Sequence, residues 1–237
     1  MLKLFSFIVL LLFCVVQETP TADDLSASPW PPPRHNRECY IIAHRGMHTS
    51  APENTIPAFK KAIELGLDYI EIDVRTSKDG RLFILHNDTV DARTDGSGAA
   101  RELLWKDLRD LDAGSWFAPE FAGTRLPTFE EVLQLAKGRI GLYLDLKDAD
   151  TKNVLSLLRE YGMIEDVVVY ADEDQLLEFV RLQPNIKIMP DPGTPERTDE
   201  IIERFHPKVV AYTWKGITRE CVERCHAAGA KVFLDVL

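Results

Sequence analysis

Residues 40–88 read YIIAHRGMHTSAPENTIPAFKKAIELGLDYIEIDVRTSKDGRLFILHND, and this stretch decides the fold. A short apolar run ends on His44, a helical pattern follows, and a second apolar run carries Glu71 and Asp73. A third run ends on His86. Because strand–helix–strand alternation predicts a parallel sheet, which gathers its functional groups at the strand ends, these polar residues indicate a functional site.

A Lys-Asp-Gly turn at residues 78–80 separates the second and third apolar runs and predicts a β-hairpin. If the turn is centred on its Asp-Gly bond, Asp73 lies opposite His86 on the neighbouring strand. Glu71 precedes Asp73 by two residues, so a strand places both carboxylates on one face. Carboxylate oxygens suit Mg²⁺ or Ca²⁺, and we therefore predict a metal site. The alternative is a solvated hairpin, against which the apolar residues around the acids argue.

The order and spacing of these residues resemble the signature of the glycerophosphodiester phosphodiesterase family. The matching segments are His44-Arg45-Gly46, Pro52-Glu53-Asn54-Thr55, Glu71-Ile72-Asp73 and His86. The resemblance implies a TIM-type (β/α)8 barrel, one bound divalent metal ion (Mg²⁺ or Ca²⁺), and hydrolysis of glycerophosphodiesters to sn-glycerol 3-phosphate and an alcohol. It begins near residue 40, is specific over the first half of the chain and is loose after about residue 150.

The resemblance also implies which residues carry the reaction. His44 and His86 are expected to act as general acid and general base, in an order that the sequence leaves open, because imidazole titrates near neutral pH. Arg45 is expected to bind the phosphate through its forked guanidinium, and Lys147 to neutralise it as a point charge. The implied nucleophile is either the glycerol 2-hydroxyl or a water molecule.

The expected metal ligands are Glu71, Asp73 and, by position, Asp145. The family usually has a glutamate where this chain has Asp145, and an aspartate is one methylene shorter, so the ion would shift or a water would intervene. The alternative for Asp145 is a structural ion pair with Lys147, which lies two residues further on the same strand face. Glu53 and Asn54 are expected to support the site, or only to organise the start of the next helix.

Residues 87–125 resemble the family's insertion between the hairpin and the next helix. This segment forms either a lid or wall for the substrate or a packed loop without a ligand role, and both alternatives remain open. Thr128, followed by Glu131 three residues later, predicts a capped helix start immediately after the insertion.

The remainder of the chain alternates helical and strand patterns. Barrel strands are predicted to begin near residues 40, 69, 140, 166, 186, 208 and 230. A complete barrel has about eight strands, so we expect residues 39–237 to form a barrel domain whose C-terminal end is missing. An open barrel, or completion by a partner chain, is the alternative.

The N-terminal region has a different composition from the barrel domain. Residues 1–17 contain one lysine and a long apolar run, which predicts a signal peptide and a secreted or periplasmic protein. An uncleaved signal that anchors the protein to a membrane is the alternative, although the run is short for a stable span. Residues 18–38 are polar and proline-rich, which predicts a disordered linker.

The net charge of −10 argues against nucleic acid as a partner, and also against an anionic membrane surface. The predicted partner is a small glycerophosphodiester substrate. Two rival functions remain open. One is another phosphodiesterase activity on the same barrel, such as a phospholipase D-like reaction, and the other is binding of phosphate esters by a secreted protein without activity.

Overall fold

The computed structural model describes residues 11–12, 34 and 39–235. Apart from Leu11–Leu12, the predicted signal peptide lies outside these residues, as does the predicted linker apart from residue 34. Within the described part of the chain, no α-helix is both long and apolar enough to cross a bilayer.

Strands and helices alternate along the described chain. The strands are β1 (Leu11–Leu12), β2 (Ile41–Ala43), β3 (Tyr69–Thr76), β4 (Leu82–Ile84), β5 (Gly141–Leu146), β6 (Val167–Tyr170), β7 (Lys187–Ile188), β8 (Val209–Thr213) and β9 (Lys231–Asp235). The α-helices are α1 (Ile56–Glu64), α2 (Trp105–Leu108), α3 (Phe129–Ala136), α4 (Thr151–Tyr161), α5 (Glu173–Leu182), α6 (Thr198–Phe205) and α7 (Arg219–Ala227). Each predicted barrel strand begins at the predicted residue or one residue after it.

The parallel strands follow one another in chain order around the sheet. Strands β2, β3, β5, β6 and β7 lie side by side, and β8 pairs in parallel with β9. The amide of Ala211 donates to the carbonyl of Pro190 (2.9 Å), which links β8 to the residues that follow β7. The short β1 is antiparallel to β2. Helices connect the parallel strands, as in the predicted TIM-type barrel.

The two faces of β3 belong to different parts of the core. Ile70, Ile72 and Val74 pack outward in a large apolar cluster that includes Phe59 of α1 and Phe129 of α3. Complete burial of such a side chain stabilises the fold by about 1.5–3 kcal/mol. The opposite face points into the barrel, where the apolar layer is formed by Tyr40, Ile42, Tyr69, Tyr143, Val168, Met189, Val209, Ala211 and Phe233.

The start of α3 confirms the predicted capping motif. The amide of Glu131 donates to Thr128 Oγ1 (3.1 Å), and the amide of Thr128 donates to Glu131 Oε2 (2.8 Å). These two bonds satisfy amides that have no partner within the helix. The helix therefore begins where the chain leaves the insertion.

The hairpin of β3 and β4 differs from its predicted register by one residue. Val74 lies opposite Ile84, and the amide of Leu85, not of His86, donates to the carbonyl of Asp73 (3.0 Å). Beyond the strand ends, the amide of Ser77 donates to the carbonyl of Arg81 (2.9 Å), and the loop between these two residues contains three residues, of which the last, Gly80, has φ +86°. A glycine at positive φ accommodates an extra residue in a hairpin loop, which shifts the register. The predicted cross-strand pair of Asp73 and His86 is therefore wrong.

The insertion of residues 87–125 folds as a compact unit with short helical turns at Ala100–Glu102, Trp105–Leu108 and Pro119–Phe121. Its apolar side chains form a separate small cluster with Phe83 and Leu85 of the hairpin. The carboxylate of Asp112 accepts hydrogen bonds from the amides of Gly114, Ser115 and Gly123 (2.7–2.9 Å). The insertion is therefore packed against the barrel, and its contacts with the site are described below.

Candidate active site

The His-Arg-Gly segment forms a tight turn immediately after β2. Arg45 has φ +52° and Gly46 has φ +76°, so two consecutive residues occupy the left-handed region. A Cβ at Gly46 would lie 2.8 Å from the Cβ of Ala58 on α1, and only glycine fits there. The turn directs the amide of Arg45 to Glu71 Oε2 at 2.7 Å. The backbone strain at this turn thus orients one carboxylate of the site.

Three carboxylates converge at the carboxyl ends of β3 and β5. Asp73 lies beside Asp145 in the parallel register, and Glu71 lies one pleat earlier on β3. One oxygen from each of the three lies within 4.8 Å of the others. Because Ca²⁺–oxygen distances are about 2.3–2.6 Å, oxygens on opposite sides of one ion are separated by about this distance. The three carboxylates therefore fit a single divalent cation.

The negative charges of these three carboxylates repel one another. Burial raises the pKa of Glu71 well above its ordinary value, and the charges of Asp73 and Asp145 raise it further. Burial also raises the pKa of Asp145, against the opposing effects of Lys147 and His86. A bound cation would remove this repulsion, which is a second reason that the donor set suits a metal ion.

Lys147 lies among the carboxylates as a partial counter-charge. Its Nζ is 2.7 Å from Asp145 Oδ2 and 3.1 Å from Asp73 Oδ1. Although burial opposes its charge, Asp73 and Asp145 together raise the pKa of Lys147. The buried Asp73 Oδ1 faces this ammonium, so a cation bound by the carboxylates would share the oxygen with Lys147.

His44 lies beside the carboxylates, with its Nε2 3.9 Å from Glu71 Oε2. Its carbonyl is 2.8 Å from His48 Nδ1, and the two imidazole rings meet edge to face with centroids 5.5 Å apart. Burial, followed by the neighbouring charge of Arg45, lowers the pKa of His44 from 6.5 to about 4. The imidazole is therefore neutral at neutral pH and can accept a proton.

His86 follows the end of β4 and is held there by Arg75, a residue that the sequence reasoning missed. Arg75 donates to the carbonyls of Leu85 (3.0 Å) and His86 (2.6 Å), and also to Asp88 (2.6 Å) and Asp148 (3.1 Å). These bonds fix the loop although the predicted strand pairing is absent. The signal was the two-residue period that continues from Glu71 and Asp73 to Arg75.

Arg45, Glu53 and Asn54 meet at the same end of the barrel. Arg45 Nη1 is 3.1 Å from Glu53 Oε1, and its buried Nε is 3.5 Å from Asp73 Oδ2 without a well-formed hydrogen bond. Asn54, with φ +57°, donates from Nδ2 to Asp73 Oδ2 at 2.6 Å. Both members of the Glu-Asn pair therefore contact predicted site residues, and their supporting role stays a prediction.

The insertion also contacts this cluster. Arg93 Nε is 3.0 Å from Glu53 Oε1, and the guanidinium carbon of Arg93 lies 4.5 Å from the centre of the Trp116 ring. Lys61 of α1 lies 5.5 Å from the centre of the Phe121 ring. The insertion thus packs beside Glu53, next to the predicted site, and the choice between a wall for the substrate and a packed loop without a ligand role stays a prediction.

The chain is an α/β barrel that brings three carboxylates, two histidines and two cationic side chains to the carboxyl ends of its strands. This combination is typical of barrel phosphodiesterases. The sequence model of the glycerophosphoryl diester phosphodiesterase family matches residues 44–235. The chain belongs to this family, and by that membership it is a phosphoric diester hydrolase of the glycerophosphodiester phosphodiesterase type.

Individual relatives agree with this assignment. A glycerophosphodiester phosphodiesterase of Caldanaerobacter subterraneus is 34% identical over 211 residues, which are 81% of this chain and 83% of that protein. The Bacillus subtilis protein YhdW is 48% identical over 153 residues, 62% of this chain and 63% of its own length. An Oleispira antarctica phosphodiesterase, solved with its product sn-glycerol-3-phosphate, superposes with a TM-score of 0.77 at 28% identity over 83% of each chain.

Proposed function

We propose that this protein hydrolyses glycerophosphodiesters to sn-glycerol 3-phosphate and an alcohol in glycerophospholipid turnover. The observation that supports the proposal is the cluster of Glu71, Asp73 and Asp145 with His44 at the carboxyl ends of the barrel strands. In a member of this family, such a cluster combines a cation site with a proton acceptor. The product seen in the Oleispira relative has the same chemistry as the proposed product.

A divalent cation, Mg²⁺ or Ca²⁺, would be held by Glu71, Asp73 and Asp145. Such an ion supplies charge neutralisation of the phosphate when it is bound. Arg45 offers its buried Nε toward the same region, and Lys147 adds a second positive charge. These two side chains orient the phosphodiester and stabilise the charge that develops on its oxygens.

The two histidines are proposed to move protons. His44, which is neutral at neutral pH, is suited to accept the proton of the attacking hydroxyl. His86 is proposed to protonate the leaving alcohol, and Arg75 holds its backbone in place. The attacking hydroxyl belongs either to a water molecule, which gives sn-glycerol 3-phosphate directly, or to the glycerol C2 position, which gives a cyclic phosphate that a water molecule then opens to the same product.

The first test is hydrolysis of glycerophosphocholine and glycerophosphoethanolamine, with glycerol 3-phosphate as the measured product. We expect release that is lost with EDTA and restored by Mg²⁺ or Ca²⁺. Lysophosphatidylcholine belongs in the same assay, because choline release from it without glycerol 3-phosphate would indicate the phospholipase D-like alternative. If none of the three substrates is cleaved with either metal, the proposed reaction is wrong and a binding function is favoured.

The second test separates the histidines from the fold. We expect His44→Ala and His86→Ala each to lower kcat by at least about 100-fold, because general acid–base catalysis contributes on the order of 10²–10⁴-fold. Thermal unfolding and Mg²⁺ affinity should remain near the wild-type values. His206→Asn is the matched control: His206 is exposed at the end of α6 with φ +44°, a conformation that asparagine tolerates. Retained turnover in either alanine variant would remove that histidine from the mechanism.

We also propose that the protein acts outside the cytoplasm, on the basis of the apolar leader and proline-rich linker in its sequence. Expression of the full chain, fractionation, and N-terminal sequencing of the recovered protein provide the test. A new N-terminus near residue 18 in the secreted or periplasmic fraction is expected. Protein found only in the cytoplasm with an intact leader would contradict the proposal.

A further inference from the structure

The carboxylate of Glu53 lies between two guanidinium groups from different parts of the chain. Its Oε1 is 3.1 Å from Arg45 Nη1 and 3.0 Å from Arg93 Nε. Only 11% of the Glu53 side chain is exposed, so water screens these charges weakly. One acidic charge is thus shared by a cation of the proposed phosphate site and a cation of the insertion.

Arg93 is fixed on its other side by an aromatic ring. Its guanidinium stacks on Trp116 at 4.5 Å, and Trp116 Nε1 donates to the carbonyl of Ala113 within the insertion (2.9 Å). A guanidinium that stacks on an indole is attracted to the face of the ring, and this contact limits the side-chain rotamers. The insertion therefore presents Arg93 to Glu53 in a defined orientation.

We propose that Arg93 is a positioning residue for phosphate binding, and that the insertion acts through it on Arg45. The proposal rests on the proposed function in one respect, namely that Arg45 contacts the phosphate. Because Arg93 pairs with the same carboxylate oxygen, it weakens the net attraction of Glu53 for Arg45. Without Arg93, Glu53 attracts Arg45 alone, and this ion pair competes with the phosphate for the same guanidinium.

This role has a signature that a purely structural role lacks. Loss of Arg93 leaves Glu53 with an excess of negative charge beside the phosphate site, so removal of that charge by a second substitution should restore binding. A residue that only stabilises the insertion would not be rescued by a change at Glu53. The pair Arg93→Ala and Glu53→Gln, with their combination, therefore forms an informative double-mutant cycle.

The experiment measures binding of sn-glycerol 3-phosphate by calorimetry in the presence of Mg²⁺, without turnover. We expect Arg93→Ala to weaken binding about tenfold, which corresponds to about 1.4 kcal/mol. Arg93→Lys should lie between this variant and the wild type, because lysine keeps the charge but stacks poorly. The double variant should bind more tightly than Arg93→Ala alone. KM for glycerophosphocholine should follow these dissociation constants, while kcat changes less than about threefold.

Arg101→Ala is the matched control, since Arg101 lies in the same insertion with 74% of its side chain exposed and pairs with Glu102 (3.6 Å). It should bind like the wild type. Equal binding by Arg93→Ala and Arg101→Ala would overturn the proposal, and so would a double variant no better than Arg93→Ala. Failure of the proposed reaction would be distinct from both results: glycerol 3-phosphate would bind with the predicted pattern, and no substrate would be cleaved.

Discussion

Arg75→Met is expected to separate the position of His86 from the rest of the site. Arg75 is 5% exposed and donates to two backbone carbonyls and two carboxylates. The contact with Asp88 adds little, because 92% of that side chain is exposed. The two carbonyl contacts are the important ones, since a hydrogen bond from a charged donor contributes about 1.5–3 kcal/mol. Methionine fills part of the same volume without a donor.

We therefore expect Arg75→Met to lower the free energy of unfolding by about 3 kcal/mol, at the lower end of the sum of two such bonds. Catalysis should fall more than stability alone explains. Release of the His86 carbonyl allows the imidazole to move, and a displacement of about 1 Å in a reacting group can cost about 100-fold in rate. The Mg²⁺ site should persist, because Arg75 contacts none of the three proposed ligands.

The assay combines urea unfolding, kcat and Mg²⁺ calorimetry under conditions where both proteins are folded. Arg81→Met is the matched control, because it makes the same change on the same hairpin at a side chain that is 45% exposed and paired only with Glu130 among the described residues. It should cost less than about 0.5 kcal/mol. A wild-type kcat in Arg75→Met, or an equal loss of stability in both variants, would refute the argument that Arg75 positions His86.

Three further predictions concern charge. Asp145→Asn should weaken Mg²⁺ binding at least about tenfold, measured by calorimetry. Asp145→Glu keeps the carboxylate and should bind Mg²⁺ with an affinity near that of the wild type. An unchanged affinity in Asp145→Asn would exclude Asp145 as a ligand. If His44 is the base, its pKa of about 4 should keep it neutral as the pH falls from neutrality. In the pH profile of kcat, the midpoint of the acidic limb should therefore lie well below pH 6.5. A midpoint at pH 6.5 or above would contradict this role. Hydrogen bonds from Gly123, Ser115 and Gly114 hold the pKa of Asp112 well below 3.8. Asp112→Asn should therefore speed proteolysis of the insertion at neutral pH, and its difference from the wild type should persist until the pH falls well below 3.8. Equal cleavage rates at neutral pH would argue against the role of Asp112.

Expectations that depend on local sequence were the most accurate. Amphipathic periodicity and buried apolar runs are properties of neighbouring residues, so the order of helices and strands and most of their bounds could be predicted. The capping box at Thr128 is likewise a short-range motif, and the structure confirms it. The parallel order of the strands followed from their alternation with helices.

The register of the hairpin could not be predicted from the local sequence. A three-residue loop and a two-residue turn are compatible with the same Lys-Asp-Gly sequence, and the choice between them depends on how β3 and β4 pack. Because side chains alternate with a period of two, a register error of one residue places each predicted cross-strand partner on the opposite face of the hairpin. His86 still lies near Asp145, since it follows the end of the strand and Arg75 holds its carbonyl.

The sequence by itself determined the barrel, the family and the set of residues that could bind a metal ion and a phosphate, because these depend on periodicity and on a motif of fixed spacing. Only the tertiary structure decided that Asp73 lies beside Asp145, that Arg75 holds the His86 loop, and that Arg93 shares Glu53 with Arg45. The physical reason is that these contacts join residues far apart in the chain. Their energies depend on distances and burial that arise only when the strands and the insertion pack together.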